Sequence, residues 1–252
     1  MLLLIDIGNT NITAGFYEGG IKNIWRLPTV TAGWGSNEYA LLLKGYMLDR
    51  RMETPEGAVI CSVVPQLTHV FVDALKKPFG IKPIIVTHKL KTGLKFRIKN
   101  PQTLGADRIA NAVGAHRLYR GNLIVIDFGT ATTFCVITAN GEYLGGAIMP
   151  GLGISVDALY EKTAELPKVK LKPLEKAIGD DTRGNMLSGL ILGHAGGVER
   201  IIKEIKKDVR EKTTTVATGG LAPLAVPYIR GIKEINPNLT LEGLGFIYEL
   251  NT

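Results

Sequence analysis

A chain of 252 residues, 45% hydrophobic and 21% charged, is long enough to bury a sizeable core, and its length fits one large domain or two lobes of about 120 residues each. The formal net charge of +7 comes from scattered lysines, and aromatics, 7% of the chain, do not interleave with them, which argues against a nucleic-acid surface and leaves steering of a small anion. With no low-complexity tract, no span of about 20 apolar residues and no leader with a cleavage site, the expectation is a globular, cytoplasmic protein away from membranes.

The first element is LLLIDIGNTNITAGFYEGG, residues 2 to 20. Leu2 to Ile5 form an apolar strand that delivers Asp6 to a tight turn at Gly8, Asn9 and Thr10, after which a second strand follows. Gly8 lets backbone approach a ligand without a Cβ, and Asp6 needs a cation or donors, since an unpaired carboxylate in an apolar setting costs several kcal/mol. Thr10, Asn11 and Thr13 add hydroxyl and amide groups, so the stretch reads as a phosphate clamp or as an ordinary hairpin.

Residues 21 to 28 continue as a third strand, and Ser36 is expected to cap a helix running to about Arg51. GAVICSVVP is a buried strand, Leu67, Val70, Phe71, Ala74 and Leu75 have helical spacing, and Ile81 to Thr87 form another strand. This alternation requires a parallel or mixed sheet. After a polar loop comes TLGADRIANAVGAHRLY, residues 103 to 119, a helix with Asp107 and Arg108 in its first turn. A carboxylate there serves the positive helix end, while Gly105 and Ala106 leave room for a substrate hydroxyl; the local pattern keeps helix capping and catalysis both open.

The chain then repeats its opening. In LIVIDFGTATTFCVITANGEYLGG, Ile126, Asp127 and Gly129 align without gaps on Ile5, Asp6 and Gly8, and Thr130, Thr132 and Thr133 follow. An offset near half the chain implies two similar lobes, 1–120 and 121–252, unless two apolar strands resemble each other by chance. Pro150 and Gly151 precede a helix expected near Ser155, and Asp180 to Thr182 start a long helix to about 207, with Thr182 as a possible cap. The strand TTVAT, the pair Gly219 and Gly220, a short helix and a last helix capped by Asn238 finish an α/β lobe. Cys61 and Cys135 lie in apolar strands and read as buried free thiols, and the isolated His69, His88, His116 and His194 give no zinc spacing. No Walker A, dinucleotide or nucleophile-elbow motif occurs.

The paired Asp-x-Gly-x-Thr turns and the late glycine pair resemble the actin, hexokinase and Hsp70 superfamily of ATP-binding proteins. DIGNTN, NPQTLGADRIANAVGAH, IDFGTATTF with GGAIMPGL, and DDTRGNM before TGGLA occur in the order found in type III pantothenate kinases, which the whole chain closely resembles. That resemblance implies an α/β fold of two ribonuclease H-like lobes with an interlobe nucleotide cleft, a homodimer, and transfer of a phosphoryl group from ATP to pantothenate, the first step of coenzyme A synthesis. Carried over, Asp6, Ile7, Gly8, Asn9, Thr10, Asn11, Ile12 and Thr13 hold the ATP phosphates, with Asp6 positioning Mg²⁺ through water. Gly105, Ala106, Asp107 and Arg108 contact pantothenate, and Asp107 is the general base. Asp127 binds a monovalent cation, potassium or ammonium, Thr130 touches ATP and Thr182 touches pantothenate. Two departures stand out: Thr13 replaces a lysine found in some members, and Phe96 and Ile98 stand where many have a tyrosine. Another small-molecule kinase of the superfamily, or a nucleotide-binding regulator without turnover, are the competing readings.

Overall fold

The structure is a computed structural model that describes residues 1–30 and 32–252, and these divide into two compact units. The first comprises Met1–Leu94, Lys99–Arg117 and Asn238–Thr252. Its five-stranded sheet is built from β1 (Leu2–Ile7), β2 (Asn11–Tyr17), β3 (Ile21–Pro28), β4 (Gly57–Ser62) and β5 (Ile84–Ile85), in the order β3-β2-β1-β4-β5. Between them run α1 (Ser36–Asp49) and α2 (Pro65–Phe79); α3 (Ala106–Leu118) and, at the chain end, α7 (Leu239–Asn251) complete the unit. The second comprises Lys95–Ile98 and Leu118–Pro237, with β6 (Lys95–Phe96), β7 (Asn122–Phe128), β8 (Ala131–Ile137), β9 (Glu142–Pro150), α4 (Leu152–Lys162), α5 (Thr182–Val209), β10 (Thr213–Thr218), α6 (Ala222–Ala225) and β11 (Glu234–Ile235). Its sheet order is β11-β10-β7-β8-β9-β6.

Leaving out β6, the two sheets share one plan: a three-stranded antiparallel meander whose first strand pairs in parallel with the strand after the crossover. Strand alternation explains where the acids point. Leu3, Ile5 and Ile7 of β1 enter the core with Tyr39, Leu43, Leu67 and Phe71, which puts Asp6 on the opposite face. Ile124, Ile126 and Phe128 of β7 likewise pack with Val198, Ile202 and Ala217, leaving Asp127 on the other face. Each fully buried Leu, Ile or Phe is worth about 1.5–3 kcal/mol, so a one-residue slip that exposed these rows would be heavily penalised.

Several boundaries differ from expectation for local reasons. Gly35, not Ser36, is the N-cap of α1, and the Glu38 carboxylate accepts the Gly35 N–H at 2.8 Å. The strand expected over Ile81 to Thr87 shrinks to Ile84–Ile85, directly after Pro83, which has no N–H for a ladder. β9 ends at Pro150 and Gly151 is the N-cap of α4, which therefore starts at Leu152. Asp181 rather than Thr182 caps α5, accepting the Gly184 N–H at 2.6 Å. Asn238 is the N-cap of α7 but makes no side-chain cap hydrogen bond. The last helix, read from sequence as part of the second lobe, packs against β1 and β4: a Cβ at Gly15 would touch Leu241, and Gly57 lies under the Tyr248 ring.

Candidate active site

In the first unit the β1–β2 turn is a four-residue loop closed by Gly8 N–H donating to the Asn11 carbonyl at 3.0 Å. A Cβ on Gly8 would come within 3.0 Å of that carbonyl, so the turn favours glycine. Asp6 is partly buried and faces Thr13 across β2; Asn9, Thr10 and Asn11 are exposed, while Ile7 and Ile12 are buried and hold the strand ends together. Thr29, just beyond β3, braces the turn twice: its hydroxyl donates to the Gly8 carbonyl at 2.7 Å and its N–H to the Thr10 carbonyl at 2.9 Å.

Asp107 lies in the first turn of α3, and its Oδ1 accepts the Arg108 N–H at 2.8 Å, one of the amides a helix start leaves unpaired. One oxygen thus serves the helix, as the capping reading anticipated. Burial raises the Asp107 pKa above the ordinary carboxylate value, outweighing the Arg108 amide and guanidinium that lower it. A partly buried carboxyl with raised proton affinity suits a group that must take up a proton. Gly105 also affects where the carboxylate sits: a Cβ there would run into Asp107 Oδ1 and push that side chain aside. Val63 lies against Gly105 on one side, with its Cγ1 3.8 Å from the Cβ position, and donates its N–H to the Ile7 carbonyl at 3.0 Å on the other. One residue therefore ties the Asp107 helix start to the end of β1.

The second unit carries the matching turn, one residue shorter, closed by Gly129 N–H to the Ala131 carbonyl at 3.2 Å. Asp127 faces Thr133 across β8 and Thr218 across β10. Gly219, at φ +93, packs so closely on Asp127 and Phe128 that any Cβ would collide, and Gly151 meets the carbonyls of Gly129 and Thr130 in the same way. The two glycine motifs that sequence reading kept separate thus enclose one carboxylate turn. Thr130 is exposed, and Thr182 is exposed at the start of α5. Thr132 is buried and shares a hydrogen bond of 3.1 Å with His194, a neutral-leaning histidine because burial lowers its pKa. Phe96 packs edge-on against Tyr143 at 5.8 Å between centroids, and Ile98 lies 3.5 Å from the Cβ position of Gly145, so both departure residues are packing residues of the second sheet.

Thr29, Val63 and His194, neighbours of the candidate turns and helix start, were not singled out from the sequence as site residues. His194 had a signal, a lone polar group within the apolar stripe of α5; Thr29 and Val63 had none, because their partners are distant in sequence. Among the described residues no cluster of three or more His, Cys, Asp or Glu can cage a metal. Single carboxylates beside backbone and hydroxyl oxygens fit hard cations that take most of their ligands from phosphate or water.

Comparison with known proteins gives a family match over most of the chain. Residues 2–204 match the family model described as type III pantothenate kinase. A type III pantothenate kinase of Moorella thermoacetica is 44% identical over 255 residues, spanning all of both chains. Two solved structures share the fold at low identity. The ethanolamine utilization protein EutJ of Carboxydothermus hydrogenoformans is 16% identical at TM-score 0.57, covering 97% of this chain and 89% of its own. The inorganic polyphosphate/ATP-glucomannokinase of Arthrobacter sp. strain KM is 15% identical at TM-score 0.52, covering 99% and 97%.

Proposed function

Because the chain belongs to the type III pantothenate kinase family, we propose that its chemistry is divided among the two carboxylate turns and Asp107. The reaction is transfer of a phosphoryl group from ATP to pantothenate, giving 4′-phosphopantothenate for coenzyme A synthesis. In our reading, the β1–β2 turn from Asp6 to Thr13 holds the ATP phosphates with its amides and hydroxyls. Thr130 contacts ATP, and Thr182 contacts pantothenate together with Gly105, Ala106, Asp107 and Arg108. Asp107 takes the proton from the pantothenate hydroxyl as the phosphoryl group arrives. The observation that carries this assignment is the raised proton affinity of a carboxylate fixed at a helix start and joined through Val63 to the end of β1.

Phosphoryl transfer proceeds through a loose transition state, so alignment and charge neutralisation supply most of the rate. Mg²⁺ held near Asp6 and a potassium or ammonium ion at Asp127 would supply that neutralisation. The residues fit both ions: Asp127 sits beside carbonyl-rich turns, and a single carboxylate at Asp6 suits an Mg²⁺ that keeps water and phosphate ligands. The decisive assay is ADP release with and without pantothenate, in sodium and then in potassium buffer. We expect release to require pantothenate and to rise with potassium in the wild type, and Asp127→Asn to lose the potassium response. Release that ignores pantothenate would remove the substrate assignment, and an intact potassium response in Asp127→Asn would remove the cation assignment.

The raised Asp107 pKa also fixes a pH dependence. The base acts only when ionised, and burial makes it hold its proton to higher pH than an ordinary aspartate, whose pKa is about 3.9. The acid limb of kcat/KM is therefore expected to turn over above that value. An acid limb that follows an ordinary carboxylate would count against Asp107 as the titrating base.

We propose further that the enzyme is a cytoplasmic homodimer. Support comes from an uncovered apolar row on β9, where Leu144 and Ile148 are exposed, from exposed Leu192 on α5, and from the two buried free cysteines. Among the described residues no helix is long and apolar enough to cross a membrane.

A further inference from the structure

The strand register of the first unit places a cation in line with the β1–β2 turn. Asp6 on β1 is directly opposite Thr13 on β2, and Thr13 is directly opposite Arg26 on β3. Directly paired residues of neighbouring strands point to the same face, so these three side chains form one cross-strand row. Core packing fixes which face. Trp25 and Leu27, on either side of Arg26, pack against the same cluster as Ile5 and Ile7, so Arg26 stands on the opposite side with Asp6. Two inter-strand steps of about 4.8 Å separate the ends of the row, a span that a long guanidinium side chain largely covers.

Two further observations set Arg26 apart from an ordinary surface arginine. The β3 end is stitched to the turn by the two Thr29 bonds to Gly8 and Thr10, which fixes Arg26, three residues earlier, relative to the loop. Arg26 is exposed on the edge strand and enters no ion pair among the described residues, whereas Lys22, on the same strand, pairs with Glu18 at 3.2 Å. The turn itself, from Asp6 to Thr13, contains one acid and no base. A triphosphate brought there finds no positive side chain within the loop itself.

We propose that Arg26 is a phosphate-binding residue for the nucleotide, its guanidinium closing over the phosphate chain held by the β1–β2 turn. This rests on the turn being the phosphate site. A planar guanidinium can grip two phosphate oxygens at once, and at the sheet edge it remains free to swing aside for product release.

The test is steady-state kinetics on the full chain with Arg26→Gln, Arg26→Lys, Lys22→Gln and Asp6→Asn. Arg26→Gln is expected to lower kcat/KM for ATP by roughly 10- to 100-fold, as loss of a hydrogen bond to a charged group does, with KM for pantothenate and the thermal midpoint unchanged. Arg26→Lys should recover part of the loss, because it restores charge without the two-pronged geometry. Lys22→Gln, which removes one charge from the same strand, should have no effect. An unaltered kcat/KM for ATP in Arg26→Gln, an equal loss in Lys22→Gln, or a parallel rise in both substrates' KM would overturn the proposal. Asp6→Asn separates the two failures: if it too leaves nucleotide kinetics intact, the phosphate assignment of the turn has failed, and if it alone impairs them, only Arg26 is wrong.

Discussion

Asp107→Asn is expected to lower turnover by about 10² to 10⁴-fold while ATP still binds, the range that loss of a positioned general base produces. In energy this is about 3–5 kcal/mol of transition-state stabilisation. The substitution nearly preserves shape and leaves an oxygen able to accept the Arg108 N–H, so the helix start keeps its hydrogen bond at 2.8 Å and the fold is not the variable. What disappears is the capacity to accept a proton. The measurement is kcat under saturating ATP and pantothenate, with nucleotide affinity from titration of the same preparation. If turnover stays within a few-fold of the wild type, Asp107 is a helix-start carboxylate and no more. The acid limb of kcat/KM provides an independent check, because loss of the base should remove that inflection as well as the rate.

Gly243→Ala is expected to have the largest effect on stability. Gly114 on α3 and Gly243 on α7 cross so closely that a Cβ on Gly243 would collide with the Ala110 carbonyl and crowd the Gly114 amide, and one on Gly114 would strike the Leu239 carbonyl. The neighbours are backbone, which cannot rotate away, so the helices must separate. The partly buried hydrogen bond from the Thr240 hydroxyl to Asn111 at 2.7 Å spans the same crossing and would be stretched with them. The loss should reach the upper end of the 1–3 kcal/mol typical of overpacking, lowering the thermal midpoint by roughly 2–4 °C for each kcal/mol. Because α3 carries Asp107 two turns earlier, kcat should fall beyond what the unfolded fraction explains. Gly45→Ala on α1 is the control. A Cβ there meets nothing within 4 Å, and the better helix propensity should leave stability unchanged or raised by up to about 1 kcal/mol. Equal midpoints for the two variants would show that the crossing tolerates expansion.

Much of this was written locally. The apolar alternation of β1 and β7, the acids at their ends and the glycines after them specify two similar strand–turn–strand units, because each signal lies within a few residues of what it controls. The sequence also placed Asp107 at a helix start, and the order of its motifs pointed to the kinase family. It misjudged caps and element ends, where a neighbouring glycine, aspartate or proline decides between near-equal conformations.

Only the folded chain decided the rest. That Gly219 and Gly151 enclose the Asp127 turn, that Thr29 braces the Gly8 turn, and that Arg26 falls in line with Asp6 are consequences of strand register and crossover, which join residues far apart in sequence. The placement of the last helix against β1 and β4 has the same origin. Periodicity reports which face of an element is apolar, but not which distant element will cover it; that choice is made when all the apolar faces compete for partners during collapse.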